Sequence, residues 1–331
     1  MKPNKKAPPS RTLVATRQGT AFGKDGTQLR WSLYGKPGAR NYPTLVCCNG
    51  IGCSTFFWSY ITRYFAEETQ VLLWDYRGHG ESGPAVDRSR VTMGDNADDL
   101  DVVMADAGIH DALLVGHSMG CQVILETYRR HPGRVRGLVP MFGTYGRATY
   151  TFFNTDVIGK NFDQLERTVV RLKKPIQLLL KLSAKNPVTL PIAARMGMVN
   201  RTMIKYPDLK PYVEHMARVE VDFFMSMARQ LGIHDAGDLL PHIQVPVLII
   251  GGEMDVFTPV WLSEQMHERI PNSEMMILPG GSHAALVEQP EVINLRVEKF
   301  IHERVGSRRR VHTSQTAQVL DDTSDERANM K

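Results

Sequence analysis

The chain has 331 residues, 42% hydrophobic and 23% charged, with a formal net charge of +5 and a pI near 9.0. That balance supports a sizeable buried core and excludes a chain that is disordered, collagenous or coiled-coil throughout. The longest apolar runs, such as residues 245–250, fall far short of the roughly 20 residues that cross a bilayer. The first residues are Lys- and Pro-rich and lack the apolar stretch of a secretory signal. Cys47, Cys48, Cys53 and Cys121 lack metal-ligand spacing, and read as reduced thiols of a cytosolic protein.

In chain order, residues 1–11 are expected to be a disordered basic N-terminus. Residues 27–33 alternate in polarity as a half-buried strand does. Short apolar runs at 44–48, 71–74, 112–115, 137–141, 245–250 and 275–278 suit strands buried on both faces. Helical patterns fall between them, at 55–68, 96–106, 118–130, 260–269 and 292–303. In the second of these, Ala97, Leu100, Val103 and Met104 share one face. Alternating strand and helix predicts a mostly parallel, doubly wound α/β sheet. Residues 143–242 break the alternation, lacking buried-strand runs and showing helical periodicity, and read as a helical insertion. The predicted organisation is therefore core at 12–142, helical cap at 143–242, core again at 243–305, and a disordered polar tail at 306–331.

The most specific motif is Gly116-His117-Ser118-Met119-Gly120, set between the 112–115 strand and the helix that follows. This is the strand–turn–helix context of a nucleophile elbow. A turn that sharp strains the serine backbone and needs small residues two before and two after. It lifts the hydroxyl above the sheet at a helix N-terminus, whose free N–H groups can face an oxyanion. The N–H of Met119, the residue after the nucleophile, is one such donor.

With this motif in hand, the chain resembles the α/β-hydrolase family over residues 12–304. Asn49-Gly50-Ile51-Gly52 stands where the family often carries His-Gly-x-Gly. Asp75-Tyr76-Arg77-Gly78-His79-Gly80-Glu81-Ser82 matches the loop after the next strand. Gly252-Glu253-Met254-Asp255 with Pro259 matches the acid loop, and Gly281-Ser282-His283 before Glu288-Gln289-Pro290 matches the histidine loop. The resemblance implies a triad of Ser118, Asp255 and His283 in the family's order, an oxyanion hole from the Ile51 and Met119 N–H groups, and a lid after the sixth strand. Asn49, where His is usual, departs from the pattern and bears on how that loop is held.

Several residues compete for these roles. Ser118 needs a general base within hydrogen-bond reach. Among 11 histidines, His283 lies on a loop at a strand's C-terminal edge, where ligands gather in open parallel sheets. His117 reads as a packing neighbour, and Asp75, Arg77 and His79 as a structural turn. Glu253 is the rival acid to Asp255, and Cys53 and Cys121 read as small apolar fillers. No Walker loop, dinucleotide fingerprint or metal box is present, so neither a cofactor nor a metal is expected.

The insertion carries its own signals. Residues 145–213 hold twelve Lys or Arg against four acids, +8, more than the whole chain. Without a nucleic-acid motif, this charge fits an anionic surface or a small acidic molecule at least as well, and no nucleic-acid partner is expected. In residues 167–185, Val169, Leu172, Ile176, Leu179 and Leu180 are predicted to share an apolar face opposite Arg167, Arg171, Lys174, Lys181 and Lys185. Pro175 is expected to divide that helix or to begin a new one. Met216, Phe223, Phe224, Met225 and Met227 are candidates for an acyl pocket.

The expectation is a cytoplasmic serine hydrolase, esterase or monoacylglycerol lipase-like. It would cleave small-molecule esters with an apolar acyl chain through an acyl-Ser118 intermediate, with peripheral contact to anionic membrane through the basic cap. Thioesterase, lactonase, C–C bond hydrolase and cofactor-free haloperoxidase chemistry are alternatives on the same scaffold, as is a receptor of low turnover.

Overall fold

A computed structural model of the chain describes residues 13–37, 42–183 and 189–306. The expected disordered ends, apart from Gly306, lie outside the described residues, as does Lys185.

Among these residues eight strands form one sheet: β1 (Arg17–Phe22), β2 (Gln28–Tyr34), β3 (Thr44–Cys48), β4 (Val71–Trp74), β5 (Ala112–His117), β6 (Val135–Met141), β7 (Val247–Gly252) and β8 (Ser273–Leu278). Their order is β1-β2-β4-β3-β5-β6-β7-β8, antiparallel through β1, β2 and β4 and parallel from there on. β1 went unpredicted. It is an edge strand in which only Ala21 is buried, so its sequence carries almost no apolar pattern.

The central strands read as continuous apolar runs because both faces are covered. Alternate residues feed two cores. Val46, Cys48, Leu72, Trp74 and Leu114 pack on one face with α2 (Met93–Asp106), α3 (Met119–Arg130) and α10 (Val260–Arg269). Leu45, Cys47, Val71, Leu73, Leu113 and Val115 pack on the other with α1 (Ser59–Phe65) and α12 (Pro290–Phe300). Local chemistry sets the helix ends. α2 starts three residues ahead of its apolar pattern because Thr92 and Asp95 form a capping box, at 3.0 and 3.2 Å. The pattern at 55–68 splits into a 3-10 turn, Thr55–Trp58, and α1.

Among the described residues, six α-helices lie between β6 and β7: α4 (Val157–Lys160), α5 (Phe162–Arg171), α6 (Lys173–Ser183), α7 (Thr189–Arg195), α8 (Tyr206–Met216) and α9 (Val221–Ile233). A short helix, α11 (Ala285–Glu288), follows the loop after β8. In this insertion one expectation holds and another fails. The break in 167–185 falls at Leu172, and Pro175 sits in the first turn of a new helix, α6, where its missing N–H costs little. The expected single packed apolar face is absent. α6 turns Ile176, Gln177 and Leu180 inward, with Gln177 Nε2 donating to the Ala217 carbonyl at 2.8 Å. Leu178, Leu179 and Leu182 point outward at 59, 66 and 62% exposure, and Leu172 is exposed too.

Candidate active site

β5 ends at His117, and α3 begins at Met119, so Ser118 alone makes the turn, at φ 55° and ψ −116°. The flanking glycines are steric necessities. A Cβ on Gly116 would stand 2.4 Å from the Gly120 carbonyl oxygen, and one on Gly120 would stand 2.1 Å from that of Cys48. Strand and helix can approach this closely only with glycine at both points. The strained serine is held by its neighbours, its N–H donating to the Met141 carbonyl at 3.1 Å.

The structure brings Ser118, His283 and Asp255 together from three loops at the C-terminal edge of the sheet. Ser118 Oγ lies 3.0 Å from His283 Nε2, and His283 Nδ1 lies 2.8 Å from Asp255 Oδ2. Asp255 is fully constrained. Its Oδ1 accepts the Phe257 and Thr258 N–H groups at 2.9 Å each, and its Oδ2 accepts the Thr258 hydroxyl at 2.7 Å. Burial pushes this carboxyl upward, but the His283 ring beside it and the Thr258 donors outweigh that and hold it below the usual carboxylate range. Glu253 is elsewhere, its Oε2 accepting the Gly280 N–H at 2.8 Å.

His117 does more than pack. Its Nε2–H donates to the His283 carbonyl at 2.9 Å, tying the elbow to the histidine loop, and burial pulls its pKa down to about 3. The Phe257 ring centroid lies 5.1 Å from that of His283. Neither contact was readable from spacing. The Thr258 contribution has a local signature, since an aspartate commonly accepts N–H groups two and three residues on.

Ile51 and Met119 both line the cavity beside Ser118. A Cβ on Gly50 would stand 3.1 Å from that of Ser118, so the Gly50–Ile51 peptide abuts the serine. The Met119 N–H opens α3 and is one of the donors a helix cannot satisfy itself. Asn49 holds its loop from within the core, donating to the Trp74 carbonyl at 2.8 Å and accepting from Trp58 Nε1 at 2.7 Å. The cavity, of about 280 Å³, is lined almost wholly by apolar groups, among them Phe57, Phe152, Ile204, Leu209 and Tyr212. Phe224 alone of the five predicted pocket residues lines it; Phe223, Met225 and Met227 are buried in the core. Cys53 also lines it, and burial raises its thiol to about 12, while Cys121 is buried and raised further by the same cause.

A nucleophile elbow with an imidazole and a buried carboxylate behind it can take a proton from a hydroxyl and return it to a leaving group. The family model described as alpha/beta hydrolase fold matches residues 43–290. The chain belongs to the α/β-hydrolase family. A relative named putative carbamate hydrolase RutD, from Caulobacter sp. (strain K31), is 26% identical over 274 residues, covering 82% of this chain and 95% of the relative. Among solved structures, a thermophilic esterase from Thermogutta terrifontis superposes with a TM-score of 0.69 at 21% identity, covering 88% of this chain and all of that one. The enol-lactonase from Burkholderia xenovorans LB400 gives 0.67 at 19%, covering 86% and 100%. Identities this low show a shared fold and leave the substrate open. The chain is thus a hydrolase of the α/β-hydrolase fold.

Proposed function

We propose that this hydrolase cleaves carboxylic esters with an apolar acyl chain through an acyl-Ser118 intermediate. One observation carries the reading: the hydrogen-bonded series Ser118, His283, Asp255 opens into a cavity of about 280 Å³ walled by apolar side chains. His283 is the general base, Asp255 fixes its tautomer and offsets the imidazolium charge, and the Ile51 and Met119 N–H groups receive the oxyanion. His283 then protonates the departing alcohol, and water repeats the sequence to release the acid. A fluorophosphonate should label wild-type protein at Ser118 and leave Ser118→Ala unlabelled. Labelling that persists in the variant would refute the nucleophile.

The carbamate named for relatives such as the Caulobacter protein is the second reading. A small carbamate would leave most of the apolar wall without contacts, whereas an acyl chain gains about 0.8 kcal/mol for each methylene buried. Rates on carbamate, acetate, octanoate, thioester and lactone substrates decide between them.

Peripheral attachment to an anionic membrane belongs to the same proposal. Leu178, Leu179 and Leu182 face outward on α6 beside Lys174 and Lys181, which have no ion-pair partner among the described residues. No helix among those residues is long and apolar enough to cross a membrane. Four buried, unpaired thiols support a reducing cytoplasmic setting.

A further inference from the structure

The loop bearing Ile51 is held from two sides by histidines. Gly50 to Cys53 form a turn closed by the Cys53 N–H on the Gly50 carbonyl at 3.1 Å, with Gly52 in the left-handed region at φ 68°. The Gly52 N–H donates to His79 Nε2 at 3.3 Å, while His79 Nδ1 faces the Arg77 carbonyl at 3.1 Å. The Gly52 carbonyl accepts from His215 Nδ1 at 2.9 Å, and His215 Nε2 accepts the Gly80 N–H at 2.8 Å. Each ring thus meets a carbonyl at Nδ1 and an N–H at Nε2, which only the neutral Nδ1–H tautomer satisfies.

His79 belongs to the sheet's own loops, but His215 does not. It sits in the last turn of α8, within the helical insertion, 163 residues from Gly52 in sequence. The next residue, Met216, presses on the same point, since a Cβ on Gly52 would stand 2.3 Å from its sulfur.

We infer that His215 is a positioning residue for the Ile51 N–H, tying the helical insertion to the loop that receives the oxyanion. The inference rests on the proposed role of Ser118 and Ile51. A side chain that bonds both Gly52 and Gly80 fixes the insertion, the Ile51 turn and the loop after β4 in one arrangement. Donors that are already aimed need no reorganisation when charge develops, and misplacing one costs transition-state stabilisation while leaving ground-state binding in place.

The test uses full-length enzyme and a soluble octanoate ester, after wild-type labelling at Ser118 by a fluorophosphonate has been measured. His215→Phe keeps the ring that packs against Phe56 and His79, at 5.8 and 5.7 Å, and loses both hydrogen bonds. It should lower kcat by about 10²-fold, the effect of losing one oxyanion donor, with KM within about threefold. Affinity for a trifluoromethyl ketone, which forms an oxyanion adduct with the serine, should fall in parallel with kcat/KM. His215→Asn can still donate to Gly52 and should recover most of kcat, whereas His215→Gln can reach only Gly80 and should not. The Asn and Gln pair decides the matter even if His215→Phe fails to fold. Unchanged kcat in a folded His215→Phe, a loss confined to KM, or rescue by Gln equal to that by Asn would each overturn the inference. Absent wild-type labelling sinks the Ser118 reading and this one with it. A labelled wild type with unchanged variants sinks this one alone.

Discussion

The sheet and the helical insertion draw on the same apolar residue types and treat them differently. In β5 all six residues are buried, and in β7 likewise. In α6 none of the eleven is, and three of its four leucines face outward. A strand in a parallel sheet is enclosed by neighbours on both sides and helices on both faces, so its environment follows from the fold. A helix laid over the sheet's edge has one partner face, and its other side is free for substrate or surface. On the proposed reading the sheet's loops hold the reacting groups, and the insertion, His215 apart, holds those that select. Loss of a reacting group in the sheet's loops should abolish turnover on every substrate, while changes in the insertion other than at His215 should alter which substrates turn over.

The largest effect expected is at the sheet's edge. Ser118→Ala and His283→Ala should each lower kcat/KM by about 10³-fold or more for short and long esters alike, and Asp255→Asn somewhat less. Glu253→Gln, whose parent side chain holds the Gly280 N–H, should stay within about threefold. Steady-state rates on acetate and octanoate esters check this, and a loss with Glu253→Gln larger than with Asp255→Asn would assign the acid wrongly.

Stability against acid is expected to follow the buried histidines of the same region. Burial pulls His79 down to about 4, so between the usual histidine value near 6.5 and pH 4 the unfolded chain binds a proton that the folded chain refuses. Stability is thus complete above about pH 6.5 and falls as the pH drops through that window, by on the order of 3 kcal/mol from this residue at most. His117 adds to it in the same direction. Denaturant titrations at pH 7, 5.5 and 4.5 should show the decline, and His79→Asn should flatten it. A slope unchanged in that variant would place the acid sensitivity elsewhere.

Effects in the insertion other than at His215 should be smaller and selective. Lengthening an ester by two carbons should raise kcat/KM about tenfold until the cavity is full. Rates falling steadily from acetate upward would instead favour the small-carbamate or lactone reading. Weakest of all is the surface contribution. Basic side chains near an anionic bilayer are each worth about 1 kcal/mol at low salt and are screened as salt rises. Anionic vesicles should raise activity on long esters a few-fold. Replacing Arg171, Lys174 and Lys181 with Gln should remove that gain and leave a short soluble ester unaffected. Equal responses to anionic and neutral vesicles would reduce the basic side to a solvated one.

The sequence by itself determined what local rules govern. Seven of the eight strands were legible because burial on both faces leaves a continuous apolar run, and the elbow because one sharp turn demands glycines at 116 and 120. Ser118 was legible from the elbow, and Asp255 and His283 from the resemblance of their loops to those of the family, each loop following a strand at the same edge of the sheet. The tertiary structure decided whatever depends on residues distant in sequence. Four leucines within residues 178–182 of α6 spread around more than half the helix, so periodicity could not choose an inward face, and packing against α8 and α9 chose Ile176 and Leu180. The His215 bond to Gly52 joins groups with no shared pattern, and only the folding of the insertion onto the sheet makes them neighbours. Hydrogen bonds act over about 3 Å, whereas sequence patterns report burial and turn geometry over a few residues. The contact that ties the insertion to the Gly50–Cys53 turn therefore exists only in the folded chain.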